Sequence, residues 1–175
     1  EVNLDKLKIW HRSLSKLFEI FNTDKGKYYK RFNIKEQSHD YGEFYSKILS
    51  KYRNKKINIL EIGTYNGSST AAFFFFFKKA NFFGIDIRKN LYKSKRIMFF
   101  KLDYTDQEKI NLFKKKYKNF FDIIIDDGGH YKSHIIKNLK NFFHCLSANK
   151  FSHYIIEDFD IGFDYINDNN KELNI

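Results

Sequence analysis

Two acidic pairs stand where apolar runs end. The stretch FDIIIDDGGHYKSH, Phe121 to His134, closes an apolar run on Asp126-Asp127, then adds Gly128-Gly129 and His130. Further along, HYIIEDF closes another such run on Glu157-Asp158. A buried carboxylate is costly unless it is paired, hydrogen-bonded or bound to a cation. Asp127, Glu157 and Asp158, converging at the ends of two adjacent strands, would form a hard oxygen site suited to Mg²⁺. His130 follows closely and has a side chain fit to take a proton near neutral pH. A plainer reading is a turn, since Asp-Asp-Gly-Gly is good turn chemistry and His130 would cap the next helix. The second acidic pair, at an equally apolar strand end, weighs against it.

Three earlier stretches could hold a ligand. In LEIGTYNGSS (60–69), Glu61 ends a strand, Gly63 permits a sharp turn and Gly67 precedes a helix. The loop lacks the G-x-G-x-x-G of dinucleotide sites and the Lys of a P-loop, so it suits a ligand without a pyrophosphate. In GIDI (84–87), Asp86 ends the next strand about 20 residues after the loop, where a carboxylate grips ribose hydroxyls. In KLDYTD (101–106), Asp103 and Tyr104 could flank an adenine ring, while Asp106 could serve only as a helix cap.

These residues need a frame. The apolar runs 57–63, 81–87, 96–103, 121–126 and 153–159 alternate with helical patterns at 68–80, 106–118 and 132–146. A short helix is expected over Lys89 to Lys95. Continuous apolar strands alternating with helices predict a Rossmann-like, doubly wound α/β sheet, mostly parallel and covered on both faces. Ligands bind such sheets at the carboxyl ends of the strands. All five runs end there in carboxylate: Glu61, Asp86, Asp103, Asp126-Asp127 and Glu157-Asp158. Upstream, helices are expected over 4–21 and 41–52, with a loop over Asn22 to Asp40. The division is an N-terminal helical segment at 1–52 and a sheet domain at 53–175. Ser68 or Ser69 is expected to cap the helix after the glycine loop. Five consecutive Phe, 73–77, cannot make a one-sided stripe, so that helix should be buried on all sides.

The chain has 175 residues, a net charge of +11, one cysteine and no proline. The lysines are scattered, which reads as a solvated surface rather than a nucleic-acid face. Cys145 has no partner for a disulfide, which fits a reducing, cytoplasmic compartment. It is expected in the core with Leu139, Phe142 and Phe143. No apolar run reaches the roughly 20 residues of a membrane span. The first residue is not Met, so residues upstream are expected.

The glycine loop, ribose acid and adenine acid, in this order, resemble the class I S-adenosylmethionine-dependent methyltransferases, over about Tyr41 to Phe159. The resemblance implies that Glu61, Gly63, Thr64, Tyr65, Asn66, Gly67, Ser68 and Ser69 surround the methionine part of S-adenosyl-L-methionine. It places Asp86, with Ile87 beside it, at the ribose, Asp103 and Tyr104 at the adenine, and Asp126 at the strand end or on the cofactor side. DDGGH followed by IIEDF is similar to the metal-dependent O-methyltransferases of natural-product sugars, the macrocin O-methyltransferase group, with the related cephalosporin hydroxylase-type proteins. NTDKG (22–26), with His39 and Tyr41, resembles that group's N-terminal segment more loosely. By this likeness Asp127, Glu157 and Asp158 hold Mg²⁺, and Asp127 and His130 serve catalysis. The acceptor is then a sugar or glycan hydroxyl, and self-association through the aromatic N-terminal helices is favoured.

There are departures. The group usually has Ser at Gly129. It also continues past the fifth strand with a helix and two more strands, where this chain has only a polar, Asn-rich stretch. A fragment is therefore expected. Rival classes fit less well. Amino-methylating nucleic-acid enzymes commonly carry a Pro-Pro motif, absent here, and RNA ribose methylation would want a catalytic Lys where only Lys132 is near. His130 and His134 do not form H-E-x-x-H, because position 131 is Tyr. A methyltransferase-fold binding module without activity is the non-enzyme alternative.

Overall fold

The computed structural model describes residues 1–10, 13–32, 34–103 and 105–159. In chain order its elements are β1 (Val2–Asn3), α1 (Leu14–Ile20), β2 (Tyr28–Arg31), β3 (Ile34–Gln37), α2 (Gly42–Leu49), β4 (Asn58–Ile62), α3 (Ser68–Phe76) and β5 (Asn81–Asp86). They continue with β6 (Tyr92–Lys93), β7 (Ile97–Lys101), α4 (Gln107–Lys116), β8 (Ile123–Asp126), α5 (Lys132–Phe142) and β9 (His153–Ile156). The five apolar runs of the sequence form one parallel sheet in the order β7-β5-β4-β8-β9. This is the doubly wound α/β arrangement that the alternation of strands and helices predicts. Strand order reverses between β4 and β8, and a crevice opens at their carboxyl ends.

Both faces of the sheet are covered. On one, α3 is buried at every position and lies under α1 and α2. Phe73 meets Phe18 edge-on at 5.3 Å and Tyr45 at 5.2 Å. The phenylalanine run is therefore core, as its all-round apolarity requires. On the other face, α4 and α5 bring Phe113 and Phe142 onto Phe121, Ile124 and Cys145.

Several local expectations are corrected. The N-terminal helix begins only at Leu14, capped by Ser13, whose Oγ accepts from Lys16 N at 3.4 Å. Ahead of it, Val2–Asn3 pairs with Tyr92–Lys93, and Trp10 is 85% exposed. The apolar spacing there therefore marks no buried stripe. The expected helix at Lys89 to Lys95 is absent, because other segments engage its backbone. Leu91 N donates to Asn66 O, and Lys95 N to the Asp5 carboxylate. The expected loop over Asn22 to Asp40 holds the antiparallel hairpin β2–β3. The Asn22 amide clamps that hairpin through both the N–H and the carbonyl of Lys30. Helix α3 is capped by Gly67 in a left-handed conformation, not by Ser68 or Ser69. Phe143 points outward at 54% exposure, while Cys145 is buried with Phe142.

Candidate active site

The crevice between β4 and β8 is a cavity of about 700 Å³. Its floor is the loop after β4. Gly63 adopts φ +83°, and an added Cβ would lie 1.9 Å from the Asp127 carbonyl oxygen. The loop therefore passes the end of β8 at a distance only glycine allows. Thr64, Tyr65 and Asn66 line the cavity after it, with Ser68 and Ser69 at the start of α3. The Asn66 carboxamide accepts from Ser68 N at 3.0 Å, satisfying a first-turn N–H.

Asp86 and Ile87 form the next part of the wall. The Asp86 carboxylate accepts from Tyr65 N at 2.6 Å and from Arg88 N at 2.8 Å. It is thereby fixed at the cavity edge with lone pairs to spare. The Arg88 guanidinium covers the Tyr65 ring at 4.4 Å. Asp103 lines the far end with Leu102 and Phe142. Hydrogen bonds from the Thr105 backbone and side chain hold its carboxyl below the usual range. Tyr104 lies outside the described residues.

Three expected contact residues sit behind this wall. Glu61 is buried and accepts from Ser69 Oγ and Thr70 Oγ1, which ties β4 to α3. Burial pushes its pKa up. Asp126 is 2% exposed and accepts from Asn138 Nδ2 at 2.9 Å and Tyr154 OH at 3.1 Å. Gly67 packs so closely on Asn90 that a Cβ would sit 2.1 Å from its amide nitrogen. All three support the loops that form the wall.

The acidic pairs meet beside the crevice. Asp127, His130 and Asp158 each present one ligand atom, all within 4.8 Å of one another. His130 Nδ1 lies 3.9 Å from Asp158 Oδ2. Two carboxylates at this separation fit a divalent cation with water completing its shell, and the imidazole beside them is placed to take a proton. Glu157, expected in the same set, is drawn a layer deeper. Its Oε2 accepts from Lys25 Nζ at 2.6 Å, and its Oε1 accepts from Tyr45 OH. Lys25 Nζ also donates to Asp127 Oδ2, and Tyr41 OH to Asp158 Oδ1. Lys25 is 1% exposed. Burial disfavours its charge, but Glu157 and Asp127 outweigh that and raise its pKa well above the usual value. Gly129 faces His134, whose Nδ1 would be 2.1 Å from an added Cβ, so the serine usual in the resembling group would fit here only with a shift of that imidazole.

Sequence reasoning missed Lys25, Tyr45, Tyr29 and Arg31. The last two bring the β2 hairpin to the cavity wall. Lys25 lies inside the NTDKG motif, which carried a signal, but a lysine among many others gave no sign of being buried.

No protein-family model matches the chain. Mycinamicin VI 2''-O-methyltransferase from Micromonospora griseorubida is 29% identical over 128 residues, covering 69% of this chain and 31% of that protein. Demethylmacrocin O-methyltransferase from Streptomyces fradiae is 30% identical over 134 residues, covering 69% of this chain and 32% of that protein. The chain thus spans about a third of the length of these curated relatives. Among solved structures, the MycE methyltransferase of the mycinamycin pathway, in complex with Mg, SAH and mycinamycin VI, superposes with a TM-score of 0.68. It is 28% identical, over 83% of this chain and 39% of that one. A second crystal of MycE, with Mg and SAH, gives 0.68 at 27% identity. The family resemblance seen in the glycine loop and acidic pairs is borne out, and the fold is that of a class I methyltransferase.

Proposed function

Taking this chain as a class I methyltransferase related to the macrolide-sugar O-methyltransferases, we propose that it transfers a methyl group from S-adenosyl-L-methionine to a hydroxyl of a sugar or small natural product, with Mg²⁺. The observation that carries this is one crevice at the switch point of the sheet, with Asp86, Asp103, Asp127 and His130 on its wall and Asp158 clustered with the last two. Residues 53–175 bind the cofactor, and residues 1–52 cover the acceptor side. The loop 63–69 cradles the methionine part, Asp86 receives the ribose hydroxyls, and Asp103 with Leu102 and Phe142 encloses the adenine.

Asp127 and Asp158, with Glu157 behind them, hold the metal. When bound, Mg²⁺ supplies Lewis-acid polarisation that lowers the pKa of an acceptor hydroxyl. His130 accepts the proton from that hydroxyl as its oxygen bonds to the methyl carbon and the carbon–sulfur bond of the sulfonium breaks, leaving the electron pair on the sulfur of S-adenosylhomocysteine. The crevice brings donor and acceptor together, and proximity provides much of the rate. A cytoplasmic setting suits the single, buried Cys145. Among the described residues no helix is long and apolar enough to cross a membrane. Of the N-terminal aromatics expected to favour self-association, Trp10 is exposed and offers apolar surface for it, whereas Phe18 and Phe21 are buried in the core.

The test is calorimetric titration of S-adenosylhomocysteine into the purified protein, with and without Mg²⁺, and into Asp86→Ala. Saturable binding that weakens about tenfold or more in Asp86→Ala is expected, the scale of a lost hydrogen-bonded charge. A folded protein that binds no S-adenosylhomocysteine overturns the proposal.

A further inference from the structure

Lys25 stands in a loop between α1 and β2 that the fold holds firmly. Thr23 N donates to Phe18 O at 3.0 Å, Gly26 N to Thr23 O at 3.1 Å, and Tyr41 N to Lys25 O at 2.9 Å. With its backbone pinned, the side chain runs inward and ends between Asp127 and Glu157. Of these two, Asp127 also belongs to the cluster with His130 and Asp158. The ammonium therefore sits at the inner edge of the metal centre, not in a separate structural ion pair. The charged and titratable groups around it are Asp127, Glu157 and Glu61, with the Tyr45 hydroxyl on Glu157 and the Tyr41 hydroxyl on Asp158.

Carboxylates packed this closely repel one another strongly away from bulk water. In the absence of a divalent ion, something must offset that repulsion, and the ammonium does so. A divalent cation bound to Asp127 would in turn lie within a few ångströms of the ammonium and be repelled by it. On the reading of the acidic cluster as a metal centre, given above, we infer that Lys25 is the resident counter-cation of that centre. It holds Asp127 and Glu157 in place while the metal is absent, and it opposes divalent binding. The centre is thereby preformed without its metal, and its metal is exchangeable. Lys25 is a positioning residue in this scheme, since it acts through Asp127 and Glu157.

The experiment uses Mn²⁺ as the probe, followed by calorimetry and by the loss of its free-ion electron paramagnetic resonance signal. Wild type is compared with Lys25→Met, which keeps the stem and removes the charge, and with Lys25→Arg, which keeps the charge. Lys25→Met should bind Mn²⁺ about tenfold tighter or more, and Lys25→Arg should stay near wild type. In EDTA the melting temperature of Lys25→Met should fall, and saturating Mn²⁺ should raise it by more than it raises wild type. If Lys25→Met is unfolded in EDTA, its folding on addition of Mn²⁺ supports the inference, and failure to fold in saturating Mn²⁺ overturns it. Equal or weaker Mn²⁺ binding by Lys25→Met also overturns it and leaves the metal centre standing. A wild type that binds no Mn²⁺ removes the metal centre itself.

Discussion

Asp127 belongs to two groups at once. Its Oδ2 accepts from Lys25, and the same side chain joins His130 and Asp158 beside the crevice. Asp158 repeats the pattern, with Tyr41 and His39 near Oδ1 and His130 near Oδ2. Each acid is thus held by the N-terminal segment on one side, Asp127 lines the crevice, and Asp158 stands beside it next to His130. The backbone beneath is just as constrained. At Gly63 an alanine would face both a left-handed φ of +83° and a Cβ 1.9 Å from the Asp127 carbonyl. Gly63→Ala is expected to destabilise the protein by about 2–4 kcal/mol and to weaken S-adenosylhomocysteine binding. Urea unfolding and calorimetry check this. Wild-type values on both would mean that the approach of the two loops can relax.

At the scale of the element, helix ends are set by particular side chains. Asp106 caps α4, accepting from Lys109 N at 3.1 Å and from Lys109 Nζ at 2.6 Å. The Lys109 side-chain bond, then its backbone bond, holds the Asp106 carboxyl below its usual pKa. A depressed folded-state pKa stabilises the fold above the unfolded value, about 3.9, and that stabilisation is lost as pH falls through the folded value. Asp106→Ala should therefore melt below wild type at neutral pH. The gap should narrow once pH drops under about 4. Thermal melts at stepped pH test it, and a gap that persists undiminished at pH 3 would assign the effect to the cap hydrogen bond itself rather than to the carboxylate charge.

Across the whole molecule, burial is uneven. Strands β4 and β8 lie at the centre of the sheet and are buried along almost their full length. The β2–β3 hairpin is exposed at nearly every residue, and two strands alone are marginally stable in water. Native-state hydrogen exchange is expected to be slowest at β4 and β8 and fastest over 28–37. Protection of the hairpin equal to that of the central strands would reveal that something covers it. Since Tyr29 and Arg31 stand on the cavity wall, a mobile hairpin would also put part of that wall on the segment that opens most easily.

By itself, the sequence determined the parallel sheet and the end of it that carries the site. Both follow from local regularities: apolar runs of strand length, helical patterns between them, and carboxylates closing each run. The burial of α3 was legible for the same reason, because five consecutive phenylalanines leave a helix no polar face. Only the tertiary structure decided which acid faces the crevice and which is held behind it. Glu61, Asp126 and Glu157 look like the other strand-end acids in sequence, yet Ser69, Asn138 and Lys25 draw them inward. Lys25 and Asp127 lie 102 residues apart. A pairing at that separation leaves no trace in local spacing, since it exists only once α1 has packed on α3 and brought the NTDKG loop over the sheet.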